Sequence, residues 1–196
     1  MKVNYLHHHT DFKDLLAIVA EQKSIDPYLV EKDYWIMHCL FGLQQLGVQF
    51  ELKGGTSLSK AYKIIDNKAL QVPCYHIGYT FVEKLQTIVT KYRNMIESGN
   101  YQVNFMRQYY DIFHLLQQQE VNDFIGTDEY HKHKENRFPK VDYEIALANN
   151  QAFLLENTDI RSKLAQLYST SKGLYYNGQP QFESMLADIK KQLHRL

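Results

Sequence analysis

The chain has 196 residues with 22 basic and 22 acidic side chains, so its formal net charge is zero, and 44% of its residues are hydrophobic. This composition is typical of a folded globular protein and excludes a disordered or fibrous chain. No apolar stretch approaches the roughly 18 residues of a membrane span and no leader pattern is present, so we expect a cytoplasmic protein without a membrane partner.

Helical periodicity dominates the first part of the chain. Apolar residues recur at helical spacing over 11–23, and Thr10 is the expected N-cap of this first helix. Asp26 followed by Pro27 predicts the start of a second helix, since both residue types favour helix N-termini. This helix is expected to continue until Gly47.

A single strand is predicted next. The segment 48–53 alternates apolar and polar residues, which is the pattern of a half-buried strand. Thr56 or Ser57 then caps a short predicted helix. Because about three strands are needed for a stable sheet, either weak strands lie within 67–79 or the sheet is largely missing from this sequence.

From residue 80 onward the chain is predicted to be a succession of helices. The pattern from Thr80 to Glu83 indicates a capping box at the start of the first of them. The helices that follow are predicted at approximately 103–118, 128–137, 142–155, 159–168 and 182–194. The pattern therefore predicts an α+β chain that is predominantly helical.

The segment most suited to chemistry is the glycine motif, which consists of Gly54, Gly55, Thr56 and Ser57. A strand that turns into a helix through two glycines exposes backbone N–H groups at a helix N-terminus, where a triphosphate binds favourably. The alternative is a tight strand-to-helix turn in which the glycines have only a steric role.

The glycine motif lies in 50–62, a run that resembles the first motif of the nucleotidyltransferase superfamily and specifically of the AbiEii/AbiGii abortive-infection toxin family. Other stretches resemble the same family in the same order: 29–35, 79–85, 107–112, 125–131, 137–138 and 178–183. The resemblance implies a small nucleotidyltransferase-like sheet core in an N-terminal part, residues 1–79, and a larger C-terminal helical region, residues 80–196.

The resemblance also implies a function. It implies a toxin that transfers a nucleoside monophosphate from a nucleoside triphosphate (NTP) to an acceptor, with tRNA or another RNA expected as acceptor, Mg²⁺ as cofactor and a cognate antitoxin as partner. It places the glycine motif at the nucleotide. By the same resemblance Lys84 contacts the phosphates, and Asp111 acts as a base or orients the acceptor. The alternative for Lys84 is a solvated helix lysine, and the alternative for Asp111 is a surface carboxylate.

The sequence departs from the family at the expected metal site. Family members carry an Asp-x-Asp strand soon after the glycine motif, and residues i and i+2 of a strand share a face. Here Asp66 is followed directly by Asn67 without an acidic pair, so the metal ligands are unknown.

If a segment is missing after Asp66, we expect an active Mg²⁺-dependent enzyme. If none is missing, we expect a catalytically inactive homologue that binds nucleotide, RNA or a partner protein. A third interpretation is a purely helical interaction module.

The best local basic patch is 131–137 together with Lys140. With no net charge on the whole chain, contact with an RNA backbone would depend on such a patch. Tyr130 and Phe138 lie beside it and could stack on bases. The simpler interpretation is a solvated helix face.

Overall fold

The computed structural model describes residues 5–52, 73–175 and 178–196. The chain divides into two compact units: Met1–Tyr75 with Gly173–Gly178, and His76–Lys172 with Gln179–Leu196. The predicted domain division into 1–79 and 80–196 stays a prediction. None of the helices within the described ranges combines the length and the apolar character that a bilayer crossing requires.

The first unit is built on two helices that pack against each other, α1 (Phe12–Lys23) and α2 (Pro27–Gln45). The sequence predicts both helices, and the structure confirms them, although Asp11 and not Thr10 is at the N-cap position of α1. Asp26 caps α2, because its Oδ1 accepts a hydrogen bond from the Tyr28 backbone N–H at 2.8 Å. Pro27 occupies the first helical position, where no helical hydrogen bond from its nitrogen is required.

The core of the first unit consists of apolar side chains of α1, α2 and the turn between them. Its buried members are Phe12, Leu16, Ala20, Ile25, Val30 and Tyr34. Spacing by four residues places the three members from α1 on one helix face. The segment from Gly173 is tied to this unit, since the Asp26 backbone N–H donates to the Gly173 carbonyl at 3.1 Å.

The expected sheet core is not present in the described part of the chain. Of the predicted strand 48–53, the described residues form one isolated parallel bridge, between Leu52 and Cys74. Val48 is 46% exposed, so the apolar face of the predicted strand is not buried at that end. The prediction of an α+β chain with a small nucleotidyltransferase-like sheet is therefore wrong, because one bridge provides a single pairing where a sheet needs about three strands. The predominantly helical character is confirmed.

The second unit is organised around one long helix, α3 (Ile77–Ser98). In the described residues it is followed by α4 (Arg107–Leu115), α5 (Gln119–Phe124), α6 (Asp128–Arg137), α7 (Lys140–Tyr143), α8 (Gln151–Leu154), α9 (Thr158–Thr170) and α10 (Phe182–Gln192). Helices α4 to α8 all contact α3, and α10 packs against α4 and α8. Phe81, Val82, Leu85 and Ile88 of α3 are fully buried. Helix α3 is therefore the centre of the core of this unit.

Helix α3 begins at Ile77, three residues before the predicted start. His76 is its N-cap, and the His76 Nδ1 accepts from the Gly78 backbone N–H at 3.1 Å. Thr80 lies inside the helix and is buried, so the predicted capping box from Thr80 to Glu83 is wrong. Sequence reasoning missed the cap because His76 is not among the usual N-cap residues.

Close packing requires glycine at position 78. A Cβ atom built there would lie 2.4 Å from the Cγ and Cδ1 atoms of Phe124. Real Cβ atoms do not approach other atoms so closely, so the ring of Phe124 occupies the space that any other side chain would need. Gly78 therefore allows α5 to lie directly against the first turn of α3.

The predicted helix 142–155 is broken into short pieces. Helix α7 ends at Tyr143, a 3₁₀ turn follows over Leu147–Asn149, and α8 comes next. The side-chain oxygen of Asn150 accepts from the Ala152 backbone N–H at 2.9 Å, which caps α8. An asparagine side chain that bonds to the local backbone competes with helix continuation. The prediction of one continuous helix is wrong, and the Asn150 cap accounts for the break before α8.

Candidate active site

Lys84 and Asp111 lie in direct contact. The Lys84 Nζ is 2.6 Å from the Asp111 Oδ2, and it also donates a hydrogen bond to the Gln108 Oε1 at 2.9 Å. The side chains of Lys84 and Asp111 are 16% and 14% exposed, so the ion pair is partly desolvated but remains open to a ligand. The structure therefore brings these two predicted site residues together, whereas their chemical roles stay a prediction.

Helix packing produces this contact between residues that are 27 positions apart. Gln108 and Asp111 are spaced by three on α4 and therefore share a helix face. Tyr109 of the same helix is fully buried, and its hydroxyl donates to the Ala152 carbonyl oxygen. This anchor fixes the position of α4 in the core, and with it the position of the Asp111 carboxylate.

The chemistry of the pair follows from its donors and acceptors. An ammonium group has three N–H donors, and two of those of Lys84 are taken by Gln108 and Asp111. The described part of the chain offers the Lys84 ammonium no third acceptor, so one donor remains for an oxygen of a ligand. Lysine is a compact charge that binds phosphate, and a carboxylate can accept the proton of a hydroxyl group. The pair thus places a cation that can bind phosphate beside a group that can accept a proton.

His114 is a neighbour of Asp111 that sequence reasoning missed. It follows Asp111 by three residues on α4, so both side chains lie on the same face. Burial lowers the pKa of His114, and the negative charge of Asp111 opposes that shift. The His114 Nε2 is buried and has no hydrogen-bond partner among the described residues. The three-residue spacing of an acid and an imidazole is the signal that could have revealed it.

Glu83 precedes Lys84 in the chain but lies on the side of α3 that contacts α6. The Glu83 Oε1 is 3.5 Å from the Arg137 Nε and 3.8 Å from the His133 Nε2. The His133 ring also packs on the Tyr79 ring, with 4.6 Å between the ring centroids. Glu83 therefore helps to attach α6 to α3.

The predicted basic patch is partly engaged within the protein. The Lys134 Nζ lies 5.7 Å from the centroid of the Tyr130 ring and 5.8 Å from that of the Phe138 ring. Burial lowers the pKa of Lys134. Lys132 and Lys140 are exposed. Tyr130 and Phe138 are themselves buried, so the predicted stacking of bases on these two rings is not supported. Backbone contact through the exposed lysines stays a prediction.

The glycine motif, with Gly54, Gly55, Thr56 and Ser57, lies outside the described residues, as does Asp66. Within the described ranges, no group of three or more His, Cys, Asp or Glu side chains could hold a metal ion. Mg²⁺ as a cofactor therefore stays a prediction. The chemistry that they can perform is that of Lys84 and its acceptors.

A protein-family model described as Nucleotidyl transferase AbiEii toxin, Type IV TA system, matches residues 63–188. The matched range spans well over half of the chain, includes Lys84 and Asp111, and begins after the glycine motif. No curated protein and no solved structure matches the chain.

Proposed function

The chain belongs to the AbiEii nucleotidyl transferase toxin family of type IV toxin–antitoxin systems, and we propose that it transfers a nucleoside monophosphate from an NTP to an RNA acceptor such as tRNA. We also propose that the protein is cytoplasmic and has a cognate antitoxin, in keeping with the family. The observation that carries it is the 2.6 Å contact between Lys84 and Asp111 within the range that matches the family.

The proposed reaction is a displacement at the α-phosphorus of the triphosphate. The acceptor hydroxyl oxygen forms a bond to this phosphorus, the bond to the bridging oxygen of pyrophosphate breaks, and pyrophosphate leaves with the bonding electrons. Asp111 accepts the proton of the attacking hydroxyl group. Lys84 offsets negative charge on the phosphate oxygens, because its ammonium is already held in a partly desolvated position.

The test is transfer of radiolabel from an NTP to RNA. Wild-type protein is incubated with total tRNA and each of the four NTPs, labelled either at the α-phosphate or at the γ-phosphate, in the presence of Mg²⁺. We expect label from at least one α-labelled NTP to enter RNA and label from the γ-labelled NTPs to stay out, because pyrophosphate is the leaving group. Label that enters RNA from the γ-phosphate would contradict nucleotidyl transfer.

A metal-depleted reaction belongs to the same experiment. Mg²⁺ is part of the proposal, since two metal ions commonly stabilise the attacking and leaving oxygens of such displacements. Transfer should stop in excess chelator and return when Mg²⁺ is restored. Undiminished transfer in excess chelator would show that the reaction does not need Mg²⁺. Calorimetric binding of an NTP without any transfer would instead support the catalytically inactive homologue.

A further inference from the structure

Gln108 is the neutral partner of the Lys84 ammonium. Its Oε1 accepts from the Lys84 Nζ at 2.9 Å, next to the 2.6 Å contact with the charged Asp111. The two acceptors are one helical turn apart on α4, so they approach the ammonium from the same helix. Lys84 is thus held by one acceptor that neutralises its charge and by one that does not.

The two proposed roles require the ion pair to loosen. While the Lys84 ammonium occupies the Asp111 Oδ2 at 2.6 Å, that oxygen is not available to accept a hydroxyl proton. The triphosphate carries several negative charges and competes with Asp111 for the same ammonium. An ammonium that turned toward the phosphates would release the Asp111 carboxylate to accept the hydroxyl proton.

We propose that Gln108 is a positioning residue that retains Lys84 when a triphosphate draws the ammonium away from Asp111. The Gln108 amide oxygen can keep its hydrogen bond throughout this exchange without reducing the positive charge that the phosphates meet. The amide Nε2 adds two N–H donors to the same side chain. This inference rests on the proposed nucleotidyl transfer.

Two substitutions of Gln108 test the proposal in the transfer assay. Gln108→Leu removes the acceptor at similar volume, and we expect the KM for the NTP to rise about tenfold while the KM for RNA is unchanged. Gln108→Glu keeps the oxygen but adds a second negative charge, so it should lower kcat by retaining the ammonium at the carboxylates. The control is Gln117→Leu, an exposed glutamine just after α4, which should change neither constant. An unchanged KM for the NTP in Gln108→Leu overturns the proposal.

A binding measurement separates this inference from the proposed function. If the wild-type protein transfers no nucleotide to any RNA, the proposed function fails, and the dissociation constant for the NTP still reports on Gln108. Titration calorimetry of the full chain should then show about tenfold weaker binding by Gln108→Leu than by wild type or Gln117→Leu. Equal dissociation constants, or no binding by the wild type, overturn the positioning role.

Discussion

Replacement of Lys84 by alanine is expected to lower kcat/KM for nucleotidyl transfer by about 100-fold or more. Removal of one preorganised donor to a charged transition state has about this effect in other enzymes. Lys84 is held in such a position by Gln108 and Asp111. The measurement is transfer of α-labelled nucleotide to RNA at limiting NTP concentration, with the melting temperature recorded to confirm that the variant is folded.

The matched control for this substitution is Lys191→Ala. The Lys191 side chain is 70% exposed and pairs with Asp188 at the surface, so its loss should leave transfer unchanged. Lys84→Arg should retain part of the activity, because it keeps the charge but replaces a compact ammonium by a planar guanidinium. If the Lys84→Ala variant transferred nucleotide as fast as the Lys191→Ala variant, Lys84 would be an ordinary helix lysine.

Replacement of Asp142 by alanine is expected to lower the free energy of unfolding by about 1–3 kcal/mol, because it leaves hydrogen-bond donors without their charged acceptor. The Arg93 side chain is 33% exposed, so solvent screens part of the loss. Asp142 is 3% exposed. It accepts from the Arg93 Nε at 2.8 Å and from the Thr90 Oγ1 at 2.5 Å. Without the carboxylate, the donors of Arg93 and Thr90 lose their acceptor at this site. Urea titration measures the change.

The control for Asp142→Ala is Asp188→Ala, because the Asp188 side chain is 50% exposed and its pair with Lys191 is a surface contact. Loss of the Asp188 carboxylate should change the free energy of unfolding by less than about 0.5 kcal/mol. Equal stability of the two variants would contradict a stabilising ion pair between Arg93 and Asp142.

The pH dependence gives a second signature of Asp142. Burial disfavours its charged form, but hydrogen bonds from Arg93 and Thr90 and the charge of Arg93 outweigh burial, so the pKa of Asp142 is lowered. A carboxyl group with a lower pKa in the folded state contributes its stabilisation in full above the unfolded pKa of about 4, and loses it as the pH falls through the folded pKa. The difference in melting temperature between wild type and Asp142→Asn should therefore shrink below about pH 4. A constant difference down to pH 3 would contradict an ionised Asp142.

The helices that the sequence predicts well are those with clear caps and one apolar face. Helix α6 follows its predicted range of 128–137, because the hydroxyl of Thr127 accepts from the Tyr130 backbone N–H at 3.2 Å. Periodicity could not reveal the break before α8, since it depends on the Asn150 side chain, which accepts from the Ala152 backbone N–H.

The candidate site was only partly predictable. Resemblance to the family identified Lys84 and Asp111, but no local pattern indicates that residues 27 positions apart are in contact, because this depends on how α3 and α4 pack. The proximity of Gln108 and His114 to the site could be recognised only from the orientation of α4 in the structure. The strand pattern of 48–53 was misleading, since alternation shows how a segment could pair and not whether partners exist.

The most direct test of the central claim is affinity labelling of the triphosphate site. An NTP analogue that carries an aldehyde on its terminal phosphate forms an imine with a nearby lysine amine, which borohydride reduces to a stable bond. After digestion, mass spectrometry identifies the modified lysine. A phosphate-binding Lys84 predicts modification of Lys84 that excess unmodified NTP suppresses. Modification that NTP suppresses at a different lysine, with Lys84 unmodified, would contradict the assignment of this site.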